Sequence, residues 1–326
     1  MRGVACRFMR APIQLDLHLP NFNYPGVGPQ QLFDTLTEIV RTAEDAGFTS
    51  VTLMDHLHQI PGVGPRTNWM LEGNAVIAAL AARTSRIHLG LLVGGVMYRN
   101  PAFMAKATTT IDVLSGGRAF LGLGAAWFEE EHRAYGYEFP PLGVRFEHLE
   151  DALHIARRMF TQPESSFAGT HHRTENVLNI PQPIRGDIPI VVGGSGERKT
   201  LRMVAEHADG CNVFGDVDQV RHLMGVLEEH CEGANRDPAE ITKTRLAVLA
   251  IAPTKEAAEA KVEPYRARMD PQRFDRMVLV GDADGVGEQV ERYREAGLDG
   301  ITFSLPDVHD LETVALAGRT IAPLVA

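Results

Sequence analysis

Cysteine is scarce: Cys6, Cys211 and Cys231 are the three in 326 residues, and no two stand in a C-x-x-C spacing. That argues against a disulfide scaffold and a structural zinc site, and it predicts a reducing, cytoplasmic compartment. Positive charge is in the minority, with 32 Lys and Arg against 42 Asp and Glu and a formal net charge of -10. A general nucleic-acid binder would show a basic stripe, so that class is disfavoured. An anionic small molecule in a locally positive pocket is not. No uninterrupted apolar run reaches the roughly 18–20 residues of a membrane helix, so no membrane partner is expected. There is no H-E-x-x-H, no glycine-rich loop ending in Lys-Ser or Lys-Thr, and no Gly-x-Ser-x-Gly elbow. Those absences weigh against a zinc protease, a P-loop NTPase and an α/β-hydrolase. His56 and His58, or the adjacent His171 and His172, have no matched acidic ligand in sequence, so no metal centre is expected.

Hydrophobic residues make up 44% of the chain, enough for one large core or two ordinary ones. The chain is organised around residues 87–127, IHLGLLVGGVMYRNPAFMAKATTTIDVLSGGRAFLGLGAAW. Two short glycine-bearing apolar runs, Ile87 to Val93 and Ala119 to Leu123, bracket a helical segment from Pro101 to Leu114. Such runs suit parallel strands covered on both faces. Pro101 fits a first helical turn, and Gly116 and Gly117 supply its stop.

The same unit recurs along the chain. Strands are predicted at Ile13 to Leu19, Ser50 to Met54, Ile188 to Val192, Gly210 to Phe214, Arg245 to Ala252 and Gly300 to Leu305. Helices are predicted at Gln31 to Ala46, Leu71 to Ala82, Val144 to Phe160, Glu197 to His207, Val217 to Glu232, Asp284 to Ala296 and His309 to Ile321. Three similar joints, AEDAGFTSVTL, AEHADGCNVF and REAGLDGITF, each join a helix end to a β-branched run. Eight strand–helix units predict a (β/α)8 TIM barrel, with a doubly wound sheet as the alternative. Residues 1–12 read as a flexible tail or a misplaced start. Residues 13–326 read as a single barrel domain, with a charged insertion at 253–280 and a hairpin or excursion at 167–183.

In such a fold, ligands bind at the C-terminal ends of the strands. Asp55 and His56 follow the second strand, where imidazole can donate a hydrogen bond or pass a proton. Asp55 is available to orient it or to take a donor of its own; a plain loop pair is the alternative. Gly193, Gly194, Ser195 and Gly196 lie between a strand and a helix, as a phosphate cradle would. A tight turn with no ligand fits the same letters. Gly94 after the third strand, and Gly124 and Ala125 after the fourth, allow a flat ring to approach the backbone. Trp127 either walls that pocket or sits in the core. Tyr98 to Asn100 reads as polar contacts or as a capped loop, and Glu129 to His132 as a solvated helix start.

Several strings together carry a resemblance: VTLMDHLHQIPGVG from Val51, LGLLVGGVMYRNPAFMAKATTTIDVLSGGRAFLGLGAAWFEEEH from Leu89, FPPLGVRFEHLEDAL from Phe139 and VVGGSGERKTLRMVAEHADGCNVFG from Val191. The chain resembles the bacterial luciferase-like superfamily of barrel flavin enzymes. Within it, the chain is similar to actinobacterial F420-dependent oxidoreductases. The resemblance implies hydride transfer between the deazaflavin F420 and a small organic substrate. It implies Asp55 and His56 as catalytic residues beside the ring, a ring-backing bulge with a cis peptide near Leu91-Leu92, and a phosphate turn at Gly193 to Gly196. It implies a homodimer. Alternatives are an FMN-dependent monooxygenase fed by a separate reductase, and a non-catalytic binding barrel. Two positions depart from the sugar-phosphate dehydrogenases of the superfamily. Trp127 stands where they place a catalytic Glu, and Ile60 where they place a Trp, so glucose 6-phosphate is not the expected substrate.

Overall fold

The computed structural model describes residues 10–266 and 270–325. Eight parallel strands form the barrel: β1 (Leu15–Leu19), β2 (Ser50–Leu53), β3 (His88–Leu91), β4 (Leu121–Gly124), β5 (Ile190–Gly193), β6 (Gly210–Val213), β7 (Thr242–Ile251) and β8 (Gly300–Ser304). The ends of the chain close on each other, with Leu15 opposite Ile301. The seam between β3 and β4 is held by the Leu89–Ala119 bridge and by a two-residue strand, Gly94–Gly95, paired to β4. The result is a nearly closed (β/α)8 barrel. The eight predicted strands are present with ends shifted by up to three residues.

The three repeated joints share one device. The residue just before the strand accepts an N–H from the neighbouring strand's start. Leu15 N–H donates to Thr49 Oγ1 (3.0 Å), Ile190 N–H to Asp209 Oδ2 (2.7 Å) and Lys243 N–H to Asp299 Oδ2 (2.8 Å). These donors sit at the barrel's N-terminal rim, where the ladder has run out. Gly47 and Gly297 stop their helices at φ of 97° and 103°, which L side chains adopt only at a cost. The middle joint has no glycine there and leaves its helix through extended Ala208.

The barrel interior is layered. Ala11, Ile13, Phe120 and Val191 form an apolar cluster toward the N-terminal end. Above it, Asp16, His18, Ser50, Thr52, Asn212, Thr244 and Thr302 are buried and bonded to one another. Leu15, Leu17, Leu19, Val51 and Leu53 alternate with them and enter the main core with the outer helices.

Two expectations change and two gain detail. Residues 1–9 of the expected tail lie outside the described residues, while Ala11 is buried and accepts a hydrogen bond from Thr242 (2.9 Å). The 253–280 segment holds regular elements. Helices Lys255–Arg266 and Pro271–Met277 lead into a strand, Val278–Gly281, that pairs with β7. The stretch at 167–183 belongs to an antiparallel hairpin of Glu164–Ala168 and Arg173–Leu178. The acidic run after β4 forms the helix Glu129–Tyr135, yet Glu131 and His132 within it are fully buried.

Candidate active site

β2 ends at Leu53, and the chain carries Asp55 and His56 onto the C-terminal rim. The two side chains are then fixed by different partners. Asp55 takes a bidentate pair from Arg99, Nη1 to Oδ2 at 2.7 Å and Nη2 to Oδ1 at 2.8 Å. Gly95 N–H adds a third donor at 2.9 Å. Both carboxylate oxygens are therefore engaged, and Asp55 is not what orients His56. Arg99 also reaches Glu72, so the loop after β3 is pinned to the end of β2.

His56 is oriented by Glu131. Its Nδ1 lies 2.8 Å from Glu131 Oε2. The same carboxylate accepts from the Tyr98 hydroxyl and from the backbone N–H groups of Leu57 and His58. Four donors fill the acceptor sites of one carboxylate. Burial by itself would raise the Glu131 pKa, but hydrogen bonds from His56, Tyr98, His58 and Leu57 outweigh it and hold it at about 2. Burial and the Glu131 carboxylate push the Tyr98 phenol up, so it stays protonated and donates. An ionised acceptor at Nδ1 fixes the imidazole proton there. Nε2 is left for the cavity. Trp127 and Phe128 stand edge-on to the ring, at centroid distances of 5.7 and 6.0 Å.

The rim opens into a cavity of about 1050 Å3. Asp55, His56, Leu92, Gly94, Gly124, Ala125, Gly193, Gly194 and Ser195 all line it. Leu91, which is buried, and Gly196, which is exposed, are outside its lining. Leu91 packs toward Gly73, and a Cβ on Gly196 would lie 2.7 Å from Thr200 Oγ1. The cis peptide is at Leu92-Val93, one bond later than expected. Val93 fills the space that side chains on Gly124 and Gly193 would take, at 2.7 and 2.8 Å. Those two glycines make room for Val93, which lines the same cavity. Trp127 lines the cavity and is 58% exposed, so it is a wall and not core.

The Gly193–Gly196 turn also differs from expectation. The helix after it starts at Thr200, not Glu197, so its N-terminus is one turn further along. Gly194 sits at φ of 127°, which requires glycine, and its N–H is taken by Asn212 O at 2.9 Å. Ser195 Oγ is turned back onto Phe214, accepting its N–H at 2.8 Å. Among the described residues, the next backbone N–H groups, of Ser195 and Gly196, have no backbone partner. Among the described residues, chain neighbours aside, the atoms nearest a Cβ built at Gly194 or Gly196 belong to Thr200, and that open turn fits a bound phosphate. The cavity's size and its glycine-bearing wall fit a flat tricyclic ring.

Two features were missed in the sequence. Glu131 was hidden in the run EEEH, where a short acidic helix start looks solvated. His18 was hidden in the alternation of LDLHL, although Asp16 and His18 share one face with Ser50 and Thr52 on the next strand. Outside the cavity, Glu150, Glu206 and His207 bring ligand-type atoms together among the described residues. The Arg202 guanidinium bridges the two carboxylates, at 3.4 and 2.8 Å, in the place a cation would take.

The Glu131 cluster makes a stability prediction. Its folded pKa lies below the ordinary 4.5, so its contribution is complete above about pH 4.5 and is lost as pH falls toward 2. Glu131→Gln should be about 3 kcal/mol less stable than wild type at neutral pH, with the gap closing across that acid range. Urea unfolding at a series of pH values measures this; equal stability at neutral pH would contradict it.

Comparisons with known proteins bear on the family and the fold. Residues 13–276 match the luciferase-like monooxygenase model. The F420-dependent glucose-6-phosphate dehydrogenase of Segniliparus rotundus is 26% identical over 315 residues, covering 88% of this chain and 92% of that protein. The pyrimidine monooxygenase RutA of Variovorax paradoxus is 28% identical over 257 residues, covering 77% and 68%. Among solved structures, an F420-dependent secondary alcohol dehydrogenase in complex with an F420-acetone adduct superimposes with a TM-score of 0.80 at 19% identity, covering 97% of this chain and 100% of that one. A family match over most of the chain, on a barrel of the same architecture, places this protein in the luciferase-like monooxygenase family.

Proposed function

We propose that this protein is an F420-dependent oxidoreductase, moving a hydride between the deazaflavin and a small organic substrate held in the barrel mouth. The observation that carries the proposal is one cavity lined both by the Glu131-oriented His56 and by Gly193, Gly194 and Ser195 of the turn. Relatives named as F420-dependent dehydrogenases align over about nine-tenths of the chain.

When bound, the deazaflavin supplies a hydride-carrying carbon where a flavin has nitrogen, and it reacts poorly with oxygen. The chain supplies the rest. The N–H groups of Ser195 and Gly196 take the cofactor phosphate. Leu92, Gly94, Gly124 and Ala125 form the wall against the ring. His56 Nε2 donates to or accepts from the substrate oxygen, and Glu131 keeps the opposite nitrogen protonated throughout. Asp55 is a positioning residue that fixes the rim through Arg99. The cavity must bring the substrate carbon to about 3–3.5 Å from the hydride carbon. Trp127 and Ile60 shape a pocket unlike a sugar-phosphate dehydrogenase's, so glucose 6-phosphate should not be turned over. We place the enzyme in the cytoplasm; no described helix is long and apolar enough to cross a membrane.

The second reading is an FMN-dependent monooxygenase supplied by a separate reductase. Its support is the similarity to proteins named as monooxygenases. Titration with both cofactors separates the two. F420 is expected to bind at micromolar affinity or tighter, about -8 kcal/mol or better. Tight FMN binding without F420 binding would overturn the assignment. Gly194→Val should weaken F420 binding at least about tenfold, because valine is strained at this backbone angle. His56→Ala should keep cofactor affinity near wild type but slow hydride transfer about 10²–10⁴-fold in anaerobic stopped flow.

We also infer a homodimer. Phe103 and Leu114 are exposed on the helix Pro101–Ser115, beside exposed Ile180 and Ile184. Lys106 Nζ on Ile180 O (2.7 Å) and Ile184 N–H on Asp112 (2.9 Å) join the two segments into one apolar face. Light scattering is expected to give twice the chain mass, and Phe103→Asp to give a monomer. A wild-type monomer at micromolar concentration would defeat the inference.

A further inference from the structure

His18 is buried on the inner face of β1, lines the same cavity as His56, and has no part in the scheme above. Its hydrogen-bond character can be read from its partners. Asp16, fully buried, accepts from Ser50 Oγ at 2.7 Å and from Thr52 Oγ1 at 2.6 Å. Thr302 adds a third hydroxyl to the same carboxylate. Asn212 Nδ2 donates to Thr302 Oγ1 at 3.1 Å, leaving that hydroxyl proton for Asp16. Burial raises the Asp16 pKa to about 6 despite these donors, so above that pH it is an ionised acceptor.

The Thr52 hydroxyl has one proton, and Asp16 takes it. Its oxygen can then only accept from its other neighbour, His18 Nδ1, at 3.0 Å. Nδ1 must carry the imidazole proton. Burial, and to a lesser degree the nearby His56, push the His18 pKa down to about 3, so the ring is neutral. A neutral ring protonated at Nδ1 has a bare Nε2. That atom is the edge of the ring away from Thr52, facing the cavity that His18 lines.

We propose that His18 is a fixed hydrogen-bond acceptor on the cavity floor, and that the ligand held there presents a hydroxyl or N–H group to its Nε2. The proposal rests on reading this cavity as the ligand site. It deepens that reading by making the two imidazoles unlike. His56 is backed by a carboxylate, whereas His18 is backed by a hydroxyl whose own proton is committed. A ligand without a donor, such as an ether or a purely aliphatic group, would leave Nε2 buried and unpaired. The donor belongs either to the cofactor ring or to an alcohol substrate, which also carries the C–H that leaves as hydride.

The test is 15N NMR of protein labelled at histidine, at about pH 8, with His18→Phe identifying the resonances. In the free protein, Nδ1 should be protonated and Nε2 bare. On saturation with F420, or only when 2-propanol is added to that complex, Nε2 should shift toward the hydrogen-bonded value. The first outcome assigns the donor to the cofactor and the second to the substrate. An imidazolium, a proton on Nε2, or an Nε2 unmoved by both additions would overturn the proposal. If fluorescence titration shows that F420 does not bind, the proposed function fails. The free-protein result then still stands, and FMN takes the place of F420 in the titration. Affinity for the ligand that moves the resonance should fall about tenfold in His18→Phe and recover in His18→Gln, whose amide oxygen can stand near the Nε2 position. Equal losses in both variants would reduce His18 to packing.

Discussion

One buried carboxylate holds the rim of this barrel together. Glu131 comes from the loop after β4, yet three of its four donors, His56, Leu57 and His58, come from the loop after β2. The fourth, Tyr98, comes from the loop after β3. Three loops are thus tied to one point. A second clamp, Arg99 on Asp55 and Glu72, repeats the logic a few residues away. Charge-assisted bonds of this kind are directional as well as strong, so they set a side chain's orientation and not only its depth. His56 inherits its geometry from Glu131, not from its chain neighbour Asp55.

The polar layer below the rim follows the same rule in a more enclosed setting. A buried carboxylate is tolerable only when its acceptor sites are filled. Asp16 is filled by hydroxyls from β2 and β8. Hydroxyl protons committed in one direction leave no freedom at the next link, and so the tautomer of His18 is dictated from two residues away. The apolar plug of Ala11, Ile13, Phe120 and Val191 closes the network off toward the N-terminal end. The cavity above it is therefore chemically asymmetric, with a carboxylate-backed imidazole on its wall and a hydroxyl-backed imidazole on its floor.

Much of the barrel was legible in the letters, for local reasons. Gly47, Gly116 and Gly297 mark helix ends because a left-handed residue is needed there, and the apolar runs that follow are too short for helices. Proline at 101 and asparagine at 100 mark a helix start, and Asn100 does cap it at 2.9 Å. The inner structure of the insertion was not legible, because its strand Val278–Gly281 looks like the end of a charged segment and gains its meaning only from pairing with β7. The C-terminal rim was half legible. Asp55 and His56 announce themselves by following a strand. Glu131 does not, because what buries it is the folding of two distant loops over a seven-residue helix. Likewise the glycines at 124 and 193 pointed to a close approach, but the group that approaches is Val93 of the same chain.

The claim on which the functional assignment depends is spatial: one ligand reaches both His56 and the Gly193–Gly196 turn. A crystal structure of the protein grown with F420 measures this directly. The expected result places the deazaflavin ring against the Leu92–Gly95 wall, within reach of His56, and its phosphate within hydrogen-bond distance of the Ser195 and Gly196 N–H groups. A phosphate bound elsewhere, or a ring that leaves this cavity empty, would contradict it.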